Sequence, residues 1–100
     1  MLEKDIVNAI KKALTKNGAW VVKTHGSIHT AGLPDLLVCY EGRFVAIEVK
    51  RPETRHTVTS RQQAFLDAIE AAGGISGVAT SIEEALTLLF GEPDQDTPDV

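Results

Sequence analysis

Asp35-Leu36-Leu37-Val38-Cys39-Tyr40-Glu41-Gly42-Arg43-Phe44-Val45-Ala46-Ile47-Glu48-Val49-Lys50 is the stretch whose reading decides the fold. Two β-prone apolar runs flank Glu41-Gly42. This predicts a β-hairpin, although Glu-Gly is a weaker turn signal than Asn-Gly. With those two residues as the whole loop, Tyr40 pairs with Arg43 and Asp35 falls directly opposite Glu48. Side chains so opposed have Cβ atoms about 4.5–5.5 Å apart, where two carboxylates repel. A divalent cation gives such a pair a reason, since Mg2+ and Mn2+ prefer oxygen ligands. Lys50 lies two residues beyond Glu48 and shares its face, while Val45, Ile47 and Val49 point the other way and read as core. An isolated Glu-x-Lys is more simply a surface ion pair. What favours chemistry is Pro34-Asp35 followed, thirteen residues after the aspartate, by Glu48-Val49-Lys50 in matching register.

Outward from the hairpin, Leu2, Ile6, Ile10, Ala13 and Leu14 recur at helical spacing, so a helix is predicted from Leu2 to about Lys16, with Asn17-Gly18 as its stop. Ala19 to Val22 is short, apolar and β-prone. His25 to Leu33 carries two glycines and reads as a loop, with Gly32 letting the chain turn into Pro34. Pro52 to Val58 has no periodicity and reads as an exposed loop. Thr59-Ser60-Arg61-Gln62 has the spacing of a capping box. It opens a helix with Phe65, Leu66 and Ile69 inward that stops at Gly73-Gly74. Ile75 to Ala79 reads as a strand, and Ser81-Ile82-Glu83-Glu84 opens a last helix to about Phe90. Trp20 and Phe65 are expected in the core, and Cys39 as a buried small hydrophobe. The predicted class is α/β: a small mixed β-sheet flanked by helices, in the order αβββαβ plus a C-terminal helix, over residues 1–90. The acidic tail 91–100 reads as disordered.

Length and composition bound the rest. One hundred residues with 43% hydrophobic and 24% charged make one ordinary globular domain. No apolar run is long enough to span a membrane. The charged opening Met1-Leu2-Glu3-Lys4-Asp5 is unlike a secretory signal, and one cysteine allows no internal disulfide, so an intracellular protein is expected. The net charge of −4 argues against a nucleic-acid partner only until its location is read. Four of the fourteen acids (Glu92, Asp94, Asp96 and Asp99) lie in the last ten residues, leaving ten acids and ten bases in the body. Lys50, Arg51, Arg55 and Arg61 fall within twelve residues. That stretch reads either as a solvated loop or as a surface for a phosphate backbone.

Pro34-Asp35 with Glu48-Val49-Lys50 resembles the PD-(D/E)XK motif of the restriction-endonuclease-like nucleases. The fuller string Gly32-Leu33-Pro34-Asp35-Leu36-Leu37-Val38, then Ala46 to Lys50, then Gln62, is similar to the VRR-NUC branch, whose first-helix glutamate matches Glu3. The resemblance covers about Glu3 to Glu84. It implies a metal-dependent nuclease that uses Mg2+ or Mn2+. Asp35, Glu48, the Val49 backbone carbonyl and Glu3 would serve the metal, with Lys50 and Gln62 completing the catalytic set. It also implies DNA as partner, with Lys50, Arg51, Arg55, Arg61, Lys23 and His25 as contacts. Stand-alone members are similar to junction resolvases, which implies a homodimer acting on a four-way junction, in a phage or mobile-element setting.

Some residues keep two readings. Glu3 falls inside the stripe of Ile6, Ile10 and Leu14, which suggests a partner, yet an acid also suits a helix N-terminus. Gln62 is accounted for by the capping box alone, or by the active site. His25 and His29 stand four apart but not on a helix, and read as loop histidines rather than a zinc pair. A binding module without catalysis, or a nuclease for RNA or single strands, remains an alternative function.

Overall fold

The computed structural model describes residues 1–24 and 31–91. The expectations placed on His25, on His29 and on the tail beyond Gly91 lie outside the described residues. The elements are α1 (Glu3–Lys16), β1 (Trp20–Lys23), β2 (Leu36–Tyr40), β3 (Arg43–Val49), a short 3-10 helix (Pro52–Thr57), α2 (Ser60–Ala71), β4 (Ile75–Ala79) and α3 (Ile82–Phe90). They form one mixed sheet in the order β1-β2-β3-β4. β1, β2 and β3 run antiparallel in sequence, and β4 is parallel to β3 through the α2 crossover. The chain is thus a small α/β domain with a four-stranded mixed sheet flanked by helices. No described helix is long and apolar enough to cross a membrane.

The hairpin has the expected register. Tyr40 pairs with Arg43 and Leu36 with Ile47. Glu41 (φ 49°) and Gly42 (φ 78°) both take positive φ, the signature of a type I′ turn, whose twist matches that of its strands. Glu41 is the one non-glycine at positive φ among the described residues. The strand pairing therefore holds a turn that its own sequence favours only weakly.

Each face of the sheet has a different cover. Leu36, Val38, Val45, Ile47 and Val49 meet Ile6, Ile10 and Leu14 of α1 and Ala85 and Leu89 of α3 in one apolar cluster. Each such Val, Leu or Ile side chain contributes about 1.5–3 kcal/mol by leaving water. On the other face α2 packs over β4 and β3. Leu66 is buried there, and its carbonyl accepts a 2.8 Å bond from Ser76 Oγ. Phe65 and Ile69 are only half-buried. β3 is covered on both sides and is buried from Val45 through Val49.

Three expectations fail, two of them on the second face. Trp20 is 63% exposed rather than core, and Cys39 is exposed rather than buried. Their register explains both. Trp20 pairs with Cys39, and Cys39 with Phe44. Directly paired residues share a face, and the buried neighbours Val38 and Val45 occupy the opposite one. The Trp20 row thus lies on the α2 side, out toward β1, while α2 packs over β3 and β4. The third failure is Pro52 to Val58, expected as an exposed loop without periodicity. Pro52–Thr57 forms a 3-10 helix, with Pro52 at its first turn and Thr54 Oγ1 accepting from the Arg51 N–H at 3.2 Å.

Candidate metal and catalytic site

The hairpin's open end gathers the acids. β2 begins one residue after Asp35, and the observed register carries Asp35 opposite Glu48. Thr24 pins the approach. Its N–H donates to the Asp35 carbonyl at 2.9 Å and its hydroxyl to the Pro34 carbonyl at 2.7 Å. Gly32, at φ 90°, makes the turn before Pro34. A Cβ there would lie 2.7 Å from Arg61 Cγ, so only glycine lets this turn pass so close to α2. Asp35 Oδ2 in turn accepts the Val49 N–H at 2.8 Å.

Glu48 is 2% exposed. Gln62 Nε2 donates to its Oε2 at 3.1 Å, and Lys50 Nζ stands 3.7 Å from the same oxygen. Glu48 Oε1 is buried without a hydrogen-bond partner. Burial first, then the adjacent Asp35 charge, pushes the Glu48 carboxyl up to about 8; Lys50 pulls it down, and the charge of Glu3 adds to the rise.

Gln62 closes the capping box and also reaches Glu48. Its Oε1 accepts the Thr59 N–H at 2.9 Å, closing the capping box with the 3.1 Å bond from the Gln62 N–H to Thr59 Oγ1. Its Nε2 is then left pointing at Glu48. The cap fixes the amide orientation that reaches Glu48.

Glu3 is exposed, not turned inward. It lines a cavity of about 240 Å3 with Asp35, Thr24 and Lys23, so the first helix does bring an acid to this site. Among the described residues, no three His, Cys, Asp or Glu side chains converge into a ready metal cluster. Glu3 stands by the Asp35–Glu48 pair without joining it. The pair itself fits a hard divalent cation, which would take up the unpartnered Glu48 Oε1 and offset the repulsion between the two carboxylates.

The basic stretch is less available than its sequence suggests. Lys50 is 9% exposed beside Glu48. Arg51 lies 3.9 Å from Glu53, and Arg55 pairs with Glu84. Arg61 packs along Gly32, and Lys23 Nζ donates to Asn8 Oδ1 at 2.9 Å. Thr24 and Glu84 are the residues that sequence reasoning missed. Their partners lie 10 and 29 residues away, beyond the reach of any local pattern. Compared with known proteins, the chain matches no family model and no curated protein.

Proposed function

We propose that this chain is a Mg2+- or Mn2+-dependent DNA endonuclease of the PD-(D/E)XK type, selective for structure rather than sequence, that acts as a homodimer on four-way junctions inside the cell. The observation that carries the reading is Glu48: a carboxylate buried against a second carboxylate, with one oxygen unpartnered and an ammonium 3.7 Å from the other. A buried, strongly perturbed carboxyl costs stability, and such groups cluster at functional sites.

Asp35 and Glu48 would hold the metal, with the Val49 carbonyl and Glu3 as the further ligands that the motif implies. Bound there, the ion would supply an acidified water and neutralise charge on the scissile phosphate. The protein's own groups have separate tasks. The Val49 N–H fixes Asp35, and Gln62 fixes Glu48 through Oε2, which leaves Oε1 to coordinate. Lys50 presents a positive charge beside the carboxylates, where it orients a phosphate oxygen and the attacking water. The junction, the dimer and a phage or mobile-element setting rest on the resemblance.

Cleavage of a labelled four-way junction with Mn2+ tests this, beside matched duplex, single-stranded DNA and RNA. Paired nicks on the junction are expected, lost by a factor of at least about 100 in Asp35→Asn and in Lys50→Met. Cutting confined to another polynucleotide would keep the nuclease and discard the junction. Metal-independent cutting, or none by folded protein, would sink the proposal. A binding module without catalysis is the weaker reading, because Arg51 and Arg55 are already engaged by Glu53 and Glu84.

A further inference from the structure

Charge is divided unevenly along the chain. Residues 1–24 hold five of the ten bases, all lysines, but only two of the fourteen acids, Glu3 and Asp5. Lys4, Lys11, Lys12 and Lys16 belong to α1, and Lys23 ends β1. Among the described residues, none of the five is in an ion pair. Helix stability does not explain the arrangement. An exposed helix gains from an acid three or four residues from each base, and no α1 lysine has one there. Lys12 and Lys16 stand four apart, where like charges repel. Lys4 puts a base in the first turn, the end that favours acids. Lys16 alone suits the helix end it occupies.

Position gives these lysines a common direction. Lys4, Asn8, Lys11 and Thr15 are spaced to share one stripe of α1, with Lys12 and Lys16 flanking it. Lys23 Nζ reaches that stripe from β1 by donating to Asn8 Oδ1. Asn8 lines two hollows at once. One is the cavity that it shares with Lys4, Lys23 and Asp35. The other runs on along α1 past Lys11, Thr15 and Lys16. The stripe thus leads away from the catalytic acids.

We propose that α1 is the surface along which the substrate's phosphate backbone lies, with Lys4, Lys23 and Lys11 meeting phosphates of one strand and Lys12 and Lys16 strengthening the field beside them. The partner is a duplex arm rather than a single strand. A single strand is held by aromatic side chains on which its bases stack, and among the described residues neither hollow has an aromatic in its lining. A duplex needs no such platform, because its backbone carries the contact. Length fits as well. Lys4 to Lys16 spans about 18 Å of helix, and one strand of a duplex advances about 3.4 Å per nucleotide, so the helix follows roughly five steps. The 50–61 stretch is the poorer surface, since Arg51 and Arg55 already face Glu53 and Glu84.

The choice of a nucleic acid as partner rests on the nuclease reading, yet binding is measured without cutting, so the two fail separately; nicking stands or falls with Asp35 and Glu48. A labelled duplex and a single strand of equal length are titrated with the full chain in a chelator at stepped salt, and fluorescence anisotropy reads the affinity. Wild type should favour the duplex, with a slope of about −3 in log K against log salt, near one phosphate for each of Lys4, Lys23 and Lys11. Lys4→Gln with Lys11→Gln should weaken duplex binding at least about tenfold and flatten the slope by about 2. Lys4→Arg with Lys11→Arg should keep both at the wild-type value. Glutamine forms helix about as well as lysine, and circular dichroism checks that α1 persists. Ala68→Glu with Ala71→Glu makes the same change of net charge at exposed positions of α2, on the face of the sheet away from α1. It should shift duplex affinity by no more than about twofold. An equal loss in that control would overturn the proposal, since net charge alone would then decide binding. So would a Gln variant with wild-type affinity and slope, or a wild type that binds the single strand more tightly than the duplex.

Discussion

Glu48 is held where water barely reaches it, and its protonation should govern the stability of the metal-free protein. The folded chain binds its proton up to a pH of about 8, against 4.5 for an unperturbed glutamate. Between those values the folded state keeps a proton that the unfolded state has released. Stability from this group is therefore full below about pH 4.5 and is lost as the pH rises to about 8, a change on the order of 5 kcal/mol. Melting in a chelator should show a falling Tm between about pH 5 and about pH 9. Glu48→Gln, which cannot ionise, should flatten that fall; a wild-type curve that is flat or rises would refute the account. Metal acts in the opposite sense. At about 100 times its Kd, Mn2+ should add about 2.7 kcal/mol, with the gain greatest at high pH, where no proton competes. Asp35→Asn should erase the gain, which isothermal titration can read without any activity assay. The pairing of Asp35 with Glu48 was legible in the sequence, because register in a two-residue hairpin follows from counting. The burial of Glu48 was not, since it depends on Gln62 and α2 closing over β3.

At the scale of elements, the capping box of α2 is also a component of the site, and the two functions can be separated. Thr59→Ala removes the acceptor for the Gln62 N–H but leaves the amide that reaches Glu48. It should cost about 1 kcal/mol of stability, the usual worth of such a cap, and leave metal affinity within about twofold. Gln62→Ala should cost similar stability and weaken metal binding about 10–100-fold, as loss of a group supporting a ligand does. Equal effects of both variants on metal affinity would show that the helix terminus matters only by holding its place. Local signals carried most of this level. The Thr59–Gln62 spacing, the Asn17-Gly18 stop and the helical stripe of Ile6, Ile10 and Leu14 all depend on neighbours within a few turns. Trp20 and Cys39 escaped because alternation assigns a residue to a face without saying what covers that face. The position of α2 over β3 and β4, away from β1, is a fact of packing between distant segments.

Across the whole molecule the question is how a chain of net charge −4 holds a polyanion. Two of the cations nearest the site are matched by acids, Arg51 by Glu53 and Arg55 by Glu84, and Lys50 is buried beside Glu48. Few counterions should then be released on binding, so log K against log salt should be shallow, with a slope no steeper than about −3. Glu84 gives a way to move that slope. It accepts from the Thr80 N–H and hydroxyl, each at 2.7 Å, and also pairs with Arg55 on the 3-10 helix that follows Lys50. Its burial pushes the carboxyl up, but the Thr80 bonds and the Arg55 charge outweigh that and hold it below the usual range. Glu84→Gln keeps an oxygen for Thr80 while removing the charge that occupies Arg55. Binding of a catalytically dead Asp35→Asn protein to a junction should therefore tighten when Glu84→Gln is added, and the slope should steepen by about 1 as Arg55 turns to phosphate. The exposed ion pair is worth little to the fold, at most about 1 kcal/mol, so Tm should barely change. If affinity and slope both stay fixed, Arg55 is a strut that ties the 3-10 helix to α3, and the phosphate contacts must come from Lys50, Arg61 and the far side of the cavity at Lys23.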